Sequence, residues 1–180
     1  MMKYAVFYRN VNLGRPGSPS KVQFEQAFMN AGAESAASFL TNGTLVFTIR
    51  PETDPIQLLT EASALLKIEC GLKEPGFLRS VAYLSDLVNL DPFASVDLSS
   101  IYLCCITFLH AGIPTLPEVP LFSSRKDVEV LRFTSSEALC TSYQIGKTPG
   151  SPNAFLEKFF NLPATTRNWN TVVRLVRKYA

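Results

Sequence analysis

Residues 35–49, SAASFLTNGTLVFTI, decide the fold of the first half of the chain. Two runs of strand-forming residues, SAASFL and TLVFTI, stand on either side of Thr41-Asn42-Gly43. Asn-Gly is typical of tight hairpins because both residues tolerate a positive φ. The stretch therefore predicts two antiparallel strands joined by a short turn.

The segments that flank this hairpin predict one strand and one helix on each side. Lys3–Arg9 alternates and is rich in aromatic and β-branched residues, which favours a strand, and Phe77–Leu84 is also interpreted as a strand. A capping box that begins at Ser20 and an N-cap at Asp54 predict two helices. The resulting order, β-α-β-β-α-β, is the split-βαβ or ferredoxin-like pattern, with an antiparallel sheet and both helices on one face.

The second half of the chain predicts the same kinds of element in a less regular order. Asp86–Ala94 is interpreted as a short connecting helix and Ile101–Leu109 as a buried strand. Two further strands are predicted to form a hairpin around Ser135-Ser136. The prolines between 114 and 120 leave room for a single helical turn at most.

Two helices complete the second half. The first is predicted to begin at Ser151, and the last at Thr165 or Thr166, with Trp169 and the following valines turned inward. We therefore predict an α+β protein made of two ferredoxin-like subdomains in tandem. The predicted subdomains are residues 1–85 and residues 86–180, related by duplication.

Charge is mild overall but uneven along the chain. The formal net charge is +2, which does not by itself predict a nucleic-acid-binding protein. Four basic residues precede the first acidic residue, Glu25, and all charged residues after Glu157 are basic. If the two ends meet, they form one positive patch.

The cysteines and the apolar segments predict a reduced, cytoplasmic protein. The N-terminal residues lack the apolar core and the cleavage site of a signal peptide, and the longest apolar run is too short for a bilayer. Cys104 and Cys105 would point to opposite faces of a strand, and no CxxC motif is present. Buried thiols are the favoured interpretation, with a redox role as the alternative.

Four stretches together resemble one protein family. They are RNVNLG (9–14), FLTNGTLVF (39–47), LDPF (90–93) and TTRNWNTVVRL (165–175). They are similar to the motifs R-G-I-N-V-G, Y-I-Q-S-G-N-V-V-F, N-P-F and T-x-R-N-W-N-T of family 1697 of the domains of unknown function. The resemblance implies a small bacterial protein with two ferredoxin-like subdomains and brings no established activity. The sequence departs from the family at Asn10, Asn42 and Thr44, where the family has glycine, serine and asparagine.

The polar residues of these motifs form the candidate site. We expect a polar, positively biased cleft where the loop after the first strand meets the start of the last helix, whose first amides can receive an anion. The candidate ligand-binding residues are Arg9, Asn12, Gly14, Asn42, Arg167, Asn168 and Asn170. The predicted ligand is anionic, either a small phosphate compound or nucleic acid. The alternative is that these side chains only tie down loops.

Catalysis has no clear support in the sequence. His110 is the only histidine, and no nucleophile–base pair, metal-ligand set or cofactor motif is evident, so we predict no catalytic residue, metal or cofactor. IGKTPG (145–150) lacks the spacing of a phosphate loop and is interpreted as a turn.

Tyr4 and Tyr8 either stack bases on an open sheet or pack in a core. Dimerisation or protein–protein interaction through a sheet face or edge is the second hypothesis, and an enzyme the third.

Overall fold

The computed structural model describes residues 1–180 and shows an α+β protein built from antiparallel sheets and helices. The chain divides into two compact units. The first comprises residues 1–85 together with 179–180, and the second comprises residues 86–178. None of the helices combines the length and the apolar character needed to cross a membrane.

The first unit follows the predicted order of elements. Its strands and helices are β1 (Met2–Tyr8), α1 (Lys21–Asn30), β2 (Ser35–Ser38), β3 (Thr44–Ile49), α2 (Pro55–Cys70), β4 (Gly76–Ser80) and α3 (Val81–Asn89), the last of which extends into the second unit. The four strands lie in the order β2-β3-β1-β4, and every neighbouring pair is antiparallel. β1 is therefore a central strand, and its backbone is paired on both sides.

Local capping fixes where α1 and α2 begin. The Ser20 hydroxyl accepts a 3.2 Å hydrogen bond from the Gln23 amide, and the Gln23 side chain accepts one of 2.9 Å from the Ser20 amide. The Asp54 carboxylate accepts a 2.8 Å bond from the Ile56 amide. These bonds satisfy first-turn amides that have no partner within the helix, so both predicted caps are confirmed.

The core of the first unit lies between the sheet and its two helices. Side chains from β1, β3, α1 and α2 form one buried cluster, which places both helices on the same face. Tyr8 is fully buried in it, with its ring edge-on to Phe24 at 5.5 Å and its hydroxyl 2.5 Å from the Ser63 hydroxyl. Burial raises the Tyr8 pKa to about 12. Base stacking by Tyr8 is therefore excluded, and the core interpretation is confirmed for this residue.

Two local predictions in the first unit were wrong. Phe77–Leu84 is not a single strand, because β4 ends at Ser80 and α3 starts at the next residue. From Val81 onward the buried residues recur at three-residue spacing, through Leu84 and Leu87, which is helical periodicity. The first strand of the predicted hairpin is also shorter than SAASFL, since β2 ends at Ser38 and Phe39 and Thr44 close the turn with a 2.7 Å backbone bond.

The second unit is built on a five-stranded sheet. Its elements are a 3₁₀ turn (Leu98–Ser100), β5 (Leu103–Phe108), β6 (Leu121–Phe122), β7 (Val128–Phe133), β8 (Glu137–Ser142), β9 (Gln144–Ile145), β10 (Thr148–Pro149), α4 (Pro152–Phe160), β11 (Thr165–Asn168) and α5 (Trp169–Tyr179). The sheet order is β11-β5-β8-β7-β6, all antiparallel, and β9 and β10 form a separate small hairpin.

Most predicted elements of this half are present. The hairpin around Ser135-Ser136 is confirmed by β7 and β8, and the Ser151 cap by a 3.2 Å bond from the Ala154 amide to its hydroxyl. IGKTPG forms the β9–β10 hairpin, as the turn interpretation predicts. No helix forms in the proline-rich segment between β5 and β7.

The start of the last helix differs from the prediction. Thr165 and Thr166 do not cap it, because residues 165–168 pair with the edge of β5 and the helix begins at Trp169. Threonine is β-branched and suits a strand, and the edge of β5 offers these residues backbone partners. The Asn168 side chain accepts a 2.9 Å bond from the Asn170 amide and so supplies the cap instead.

Candidate ligand-binding site

Two of the family-like motifs meet in the first unit. The loop after β1 lies against the β2–β3 turn, and the Leu13 amide donates a 2.8 Å hydrogen bond to the Thr41 carbonyl. The Tyr8 amide donates a 2.9 Å bond to the Gly43 carbonyl. Gly43 has φ +74°, and a β-carbon there would lie 2.7 Å from Cβ of Val11. The glycine of the second motif therefore permits the close approach of the first.

A cavity of about 430 Å³ opens where these loops reach the start of α1. This volume lies within the range of small-ligand sites, about 300–1,000 Å³. The lining consists of small, hydroxyl-bearing and apolar residues with a single charged one: Leu13, Gly14, Ser20, Lys21, Ser38, Leu40 and Thr41.

Lys21 gives this cavity its positive charge. It is the first residue of α1, and its side chain is 70% exposed. Its ammonium lies 3.9 Å from a Glu25 carboxylate oxygen, which is a loose pair in solvent. The same Glu25 oxygen accepts bonds of 2.8 and 2.7 Å from the Ser38 amide and hydroxyl. Glu25 is therefore held by the sheet, and the lysine side chain is able to move toward a ligand.

The loop that carries Gly14 is ordered by its own backbone. The Gly14 amide donates to the Pro19 carbonyl at 3.0 Å, and the Asn12 amide donates to the Ser18 hydroxyl at 3.0 Å. Gly14 has φ +81°, and a β-carbon added there would meet nothing within 4 Å. Of the four predicted site residues in this unit, Gly14 lines the cavity and Asn12 belongs to the loop that shapes it.

Arg9 is engaged elsewhere in the same unit. Its guanidinium donates a 2.8 Å bond to a Glu74 carboxylate oxygen, and its amide donates to the Pro75 carbonyl at 3.1 Å. These contacts fix the segment between α2 and β4 to the end of β1. Next to it, Asn10 has φ +52°, a conformation that asparagine tolerates better than most residues, so this departure from the family glycine is accommodated.

Asn42 has a local structural contact. Its side-chain oxygen accepts a 2.8 Å bond from the Thr44 hydroxyl, across Gly43. Asn42 and Thr44 are the two positions at which this turn departs from the family pattern. Relative to the family motif, the amide and the hydroxyl side chain have exchanged positions, and here they bond to each other. Asn42 is not among the residues that line the cavity.

The three predicted site residues of the second unit lie at the β11–α5 junction. Arg167 is buried, and its guanidinium donates to the Thr165 hydroxyl at 2.8 Å and to the Thr166 carbonyl at 3.0 Å. Burial lowers its pKa to about 10. Asn168 caps α5 as described above, whereas Asn170 is exposed. The contacts of Arg167 and Asn168 stabilise the junction itself.

Sequence reasoning missed the residues that α1 contributes to the cavity. Ser20 was recognised only as a cap, and Lys21 only as a member of the basic N-terminal region. The signal that points to them is a basic residue in a first turn without acidic residues, next to a glycine-containing loop. No group of three or more histidine, cysteine, aspartate or glutamate side chains is placed to hold one metal ion.

Comparison with known proteins identifies the family but no activity. No curated protein matches the chain in sequence. The fold is similar to that of a conserved bacterial protein from Streptococcus pneumoniae, with a TM-score of 0.66 and 18% identity over 98% of this chain and 97% of the other. At this identity the likeness concerns the fold alone. The model of the family described as "Protein of unknown function (DUF1697)" matches residues 1–138, which contain the first three motifs. The chain therefore belongs to the DUF1697 family.

Proposed function

We propose that the protein is a non-catalytic module that binds a phosphate-bearing ligand in the cavity between the Gly14 loop, the β2–β3 turn and α1. The observation that carries this proposal is the composition of the lining, which combines one exposed cation, Lys21, with hydroxyl groups and a glycine. Ammonium and hydroxyl donors suit phosphate oxygens. A glycine lets a ligand approach the backbone closely.

The proposed site retains only part of the predicted residue set. Gly14 and Asn12 belong to the cavity or its loop, and Lys21 joins them. Arg9 is paired with Glu74, and Arg167 has hydrogen bonds within its own strand, so we assign both to structure. Asn170 is exposed and stays a prediction.

Titration of the intact protein with inorganic phosphate and with a short single-stranded oligonucleotide tests the proposal. Lys21→Ala should weaken binding about tenfold, the usual effect of losing one charge-assisted contact. Lys67→Ala, which removes an exposed helical lysine of the same unit, is the matched control and should bind as the wild type does. A small-phosphate site responds to phosphate itself. A nucleic-acid site responds mainly to the oligonucleotide, with a steep loss as salt rises.

Equal binding by Lys21→Ala and the wild type would place the ligand elsewhere. Absence of saturable binding by either probe would remove the proposal.

We also propose that the two units are ferredoxin-like subdomains related by duplication, with the boundary at residues 85–86. The spatial order β2-β3-β1-β4 is that of a split βαβ fold. Let β5, β7, β8 and β11 of the second unit correspond to β1, β2, β3 and β4 of the first. The spatial order of the second sheet, β7-β8-β5-β11, is then the same as that of the first. The proline-rich segment stands where the first helix would be, and β6 is an additional edge strand.

A second parallel supports the duplication. In each unit the last strand passes into a helix with no intervening residue, at Ser80–Val81 and at Asn168–Trp169. A polar side chain before the helix accepts a first-turn amide in both cases, from Tyr83 to Ser80 at 3.1 Å and from Asn170 to Asn168 at 2.9 Å. An experimental structure in which β11 is not the neighbour of β5 would contradict the correspondence.

We propose a cytoplasmic location on the basis of the cysteines. All four are free, and two of them, Cys105 and Cys140, are buried in the second sheet. Buried reduced thiols are typical of proteins in reducing compartments. Cell fractionation with an antibody against the native chain tests this assignment.

A further inference from the structure

A second cavity, of about 590 Å³, lies in the second unit beside α4. Three segments form its walls, namely one face of α4, the turn between β6 and β7, and the β9–β10 hairpin. Its volume is also that of a small-ligand site. None of the residues predicted to bind a ligand lines it.

One whole face of α4 borders this cavity. Ser151, Ala154, Phe155, Lys158 and Phe159 line it, and their spacing of three and four residues places them on one side of the helix. The helix packs into its own core through a different face, where Leu156 is fully buried. Phe155 also packs against that core, whereas Ala154, Lys158 and Phe159 are exposed to the cavity side.

The cavity has an aromatic wall. Phe159 is 48% exposed, yet its ring is held by edge-on contacts, at 6.1 Å from the Phe155 ring and 5.1 Å from the Phe160 ring. An ordered, accessible ring at the border of a cavity offers a stacking surface for another planar ring.

Positively charged residues outnumber negatively charged ones in the lining of this cavity. The Lys158 side chain forms no hydrogen bond or ion pair within the chain. Arg125 lies 3.7 Å from a carboxylate oxygen of Asp127, whose other oxygen accepts a 2.7 Å bond from the Ser123 hydroxyl. Two cations thus share the cavity with one carboxylate that is already engaged, which suits a ligand with a negative charge.

Close backbone packing holds two of the walls together. A β-carbon at position 150 would lie 2.0 Å from the Asp127 carbonyl oxygen, so only glycine fits there. The Tyr143 amide donates to that same carbonyl at 2.9 Å, and the Gly150 amide donates to the Tyr143 carbonyl at 2.9 Å. The β6–β7 turn and the strands that carry the β9–β10 hairpin are therefore fixed to each other, and a ligand binds with little reordering of these walls.

We infer that this cavity is a binding site for a small planar aromatic compound that carries an anionic group, of the mononucleotide class. The ring stacks on Phe159, and the anionic group lies near Lys158 and Arg125. The site is separate in sequence and in composition from the cavity at Lys21, so either one can fail without the other.

Calorimetric titration of the full chain carrying Lys21→Ala with adenosine monophosphate tests the inference, because this substitution weakens phosphate binding at the first cavity. We expect saturable binding that weakens as salt rises, with adenosine and inorganic phosphate each bound at least about tenfold more weakly, because each lacks one of the two recognised groups. Lys158→Ala and Phe159→Ala should each weaken binding about tenfold. Phe159→Tyr keeps a ring and should retain most of the affinity.

Matched controls separate this site from general effects. Phe122 is also 48% exposed. Its neighbour on the strand, Leu121, packs against the core that contains α4, so Phe122 points to the opposite face of the sheet. Phe122→Ala therefore removes an equivalent ring away from the cavity. Arg177→Ala removes an exposed cation of the same unit. Both variants, made in the Lys21→Ala chain, should bind the nucleotide as that parent chain does.

Three results would overturn the inference. The first is no saturable binding of the nucleotide at concentrations up to about 5 mM. The second is an unchanged affinity for the nucleotide in both Lys158→Ala and Phe159→Ala. The third is inorganic phosphate bound as tightly as the nucleotide. Circular dichroism of each variant verifies that the fold is intact, which the exposure of both side chains favours.

Discussion

The Leu13 amide and the Thr41 carbonyl are joined by a 2.8 Å hydrogen bond, although the two residues lie 28 positions apart in the sequence. This bond connects the loop after β1 to the turn between β2 and β3. The two segments contain the first two motifs that the chain shares with its family. The motifs are therefore partners in one structural junction, and the cavity at Lys21 exists because they meet.

Gly43 should tolerate no side chain at this junction. Gly43→Ala forces an unfavourable φ of +74° and brings Cβ to 2.7 Å from Cβ of Val11. We expect a loss of about 2–4 kcal/mol in the free energy of unfolding, from backbone strain and overpacking together. Urea denaturation measures this. Gly17→Ala has a similar φ of +77° in open space and should lose only about 1 kcal/mol. Equal losses in the two variants would show that the contact with Val11 contributes nothing.

Arg167 should contribute mainly to stability. Arg167→Ala removes a buried side chain and the hydrogen bonds to the Thr165 hydroxyl and the Thr166 carbonyl. We expect a loss of about 2–4 kcal/mol in the free energy of unfolding. Arg177→Ala, at an exposed position, should change it by less than about 0.5 kcal/mol. A variant at Arg167 that is as stable as the wild type but has lost phosphate binding would assign this residue to a ligand site.

Asn168 should be the cap of α5. Asn168→Ala leaves the Asn170 amide without the 2.9 Å bond that it donates to the side chain. The expected loss is about 1 kcal/mol of unfolding free energy. Asn170→Ala removes an exposed side chain from the first turn and should have little effect. Thermal unfolding of the two variants distinguishes them, and the reverse order of stabilities would contradict the capping role.

Alkaline pH should destabilise the protein through Cys105. Burial raises the pKa of its thiol from 9.0 to about 12, so above pH 9 the unfolded chain releases a proton that the folded chain retains. Proton release favours unfolding, so this contribution is fully present below pH 9 and decreases as pH rises toward 12. Cys105→Ala should therefore lose stability less steeply above pH 9, by about 1.4 kcal/mol per pH unit. Urea denaturation in the presence of a reductant gives both curves, and parallel curves would exclude the effect.

Some local features could be predicted because neighbouring residues determine them. The Ser20 capping box and the Asp54 cap each require residues only two or three positions apart, and both are present. The alternation of Lys3–Arg9 and the apolar run of Ile101–Leu109 likewise predicted strands that the sheets contain. The four motifs together indicated the family, and the family model matches residues 1–138, which contain three of them.

Other features depended on partners far away in the sequence. Thr165–Asn168 carries a plausible helix start, yet it is a strand because the edge of β5 offers it backbone hydrogen bonds. Arg167 looked like a ligand-binding cation, but its own strand and its burial give it internal partners. Lys21 looked like one more surface charge until the Gly14 loop and the Thr41 turn were brought beside it.

The sequence by itself determined the class of each well-capped or alternating segment, because those preferences arise within a few residues. Only the tertiary structure decided which polar groups line a cavity and which form hydrogen bonds that stabilise the fold. The physical reason is that a hydrogen bond or a burial event depends on distance in space, and the pairing of strands sets those distances.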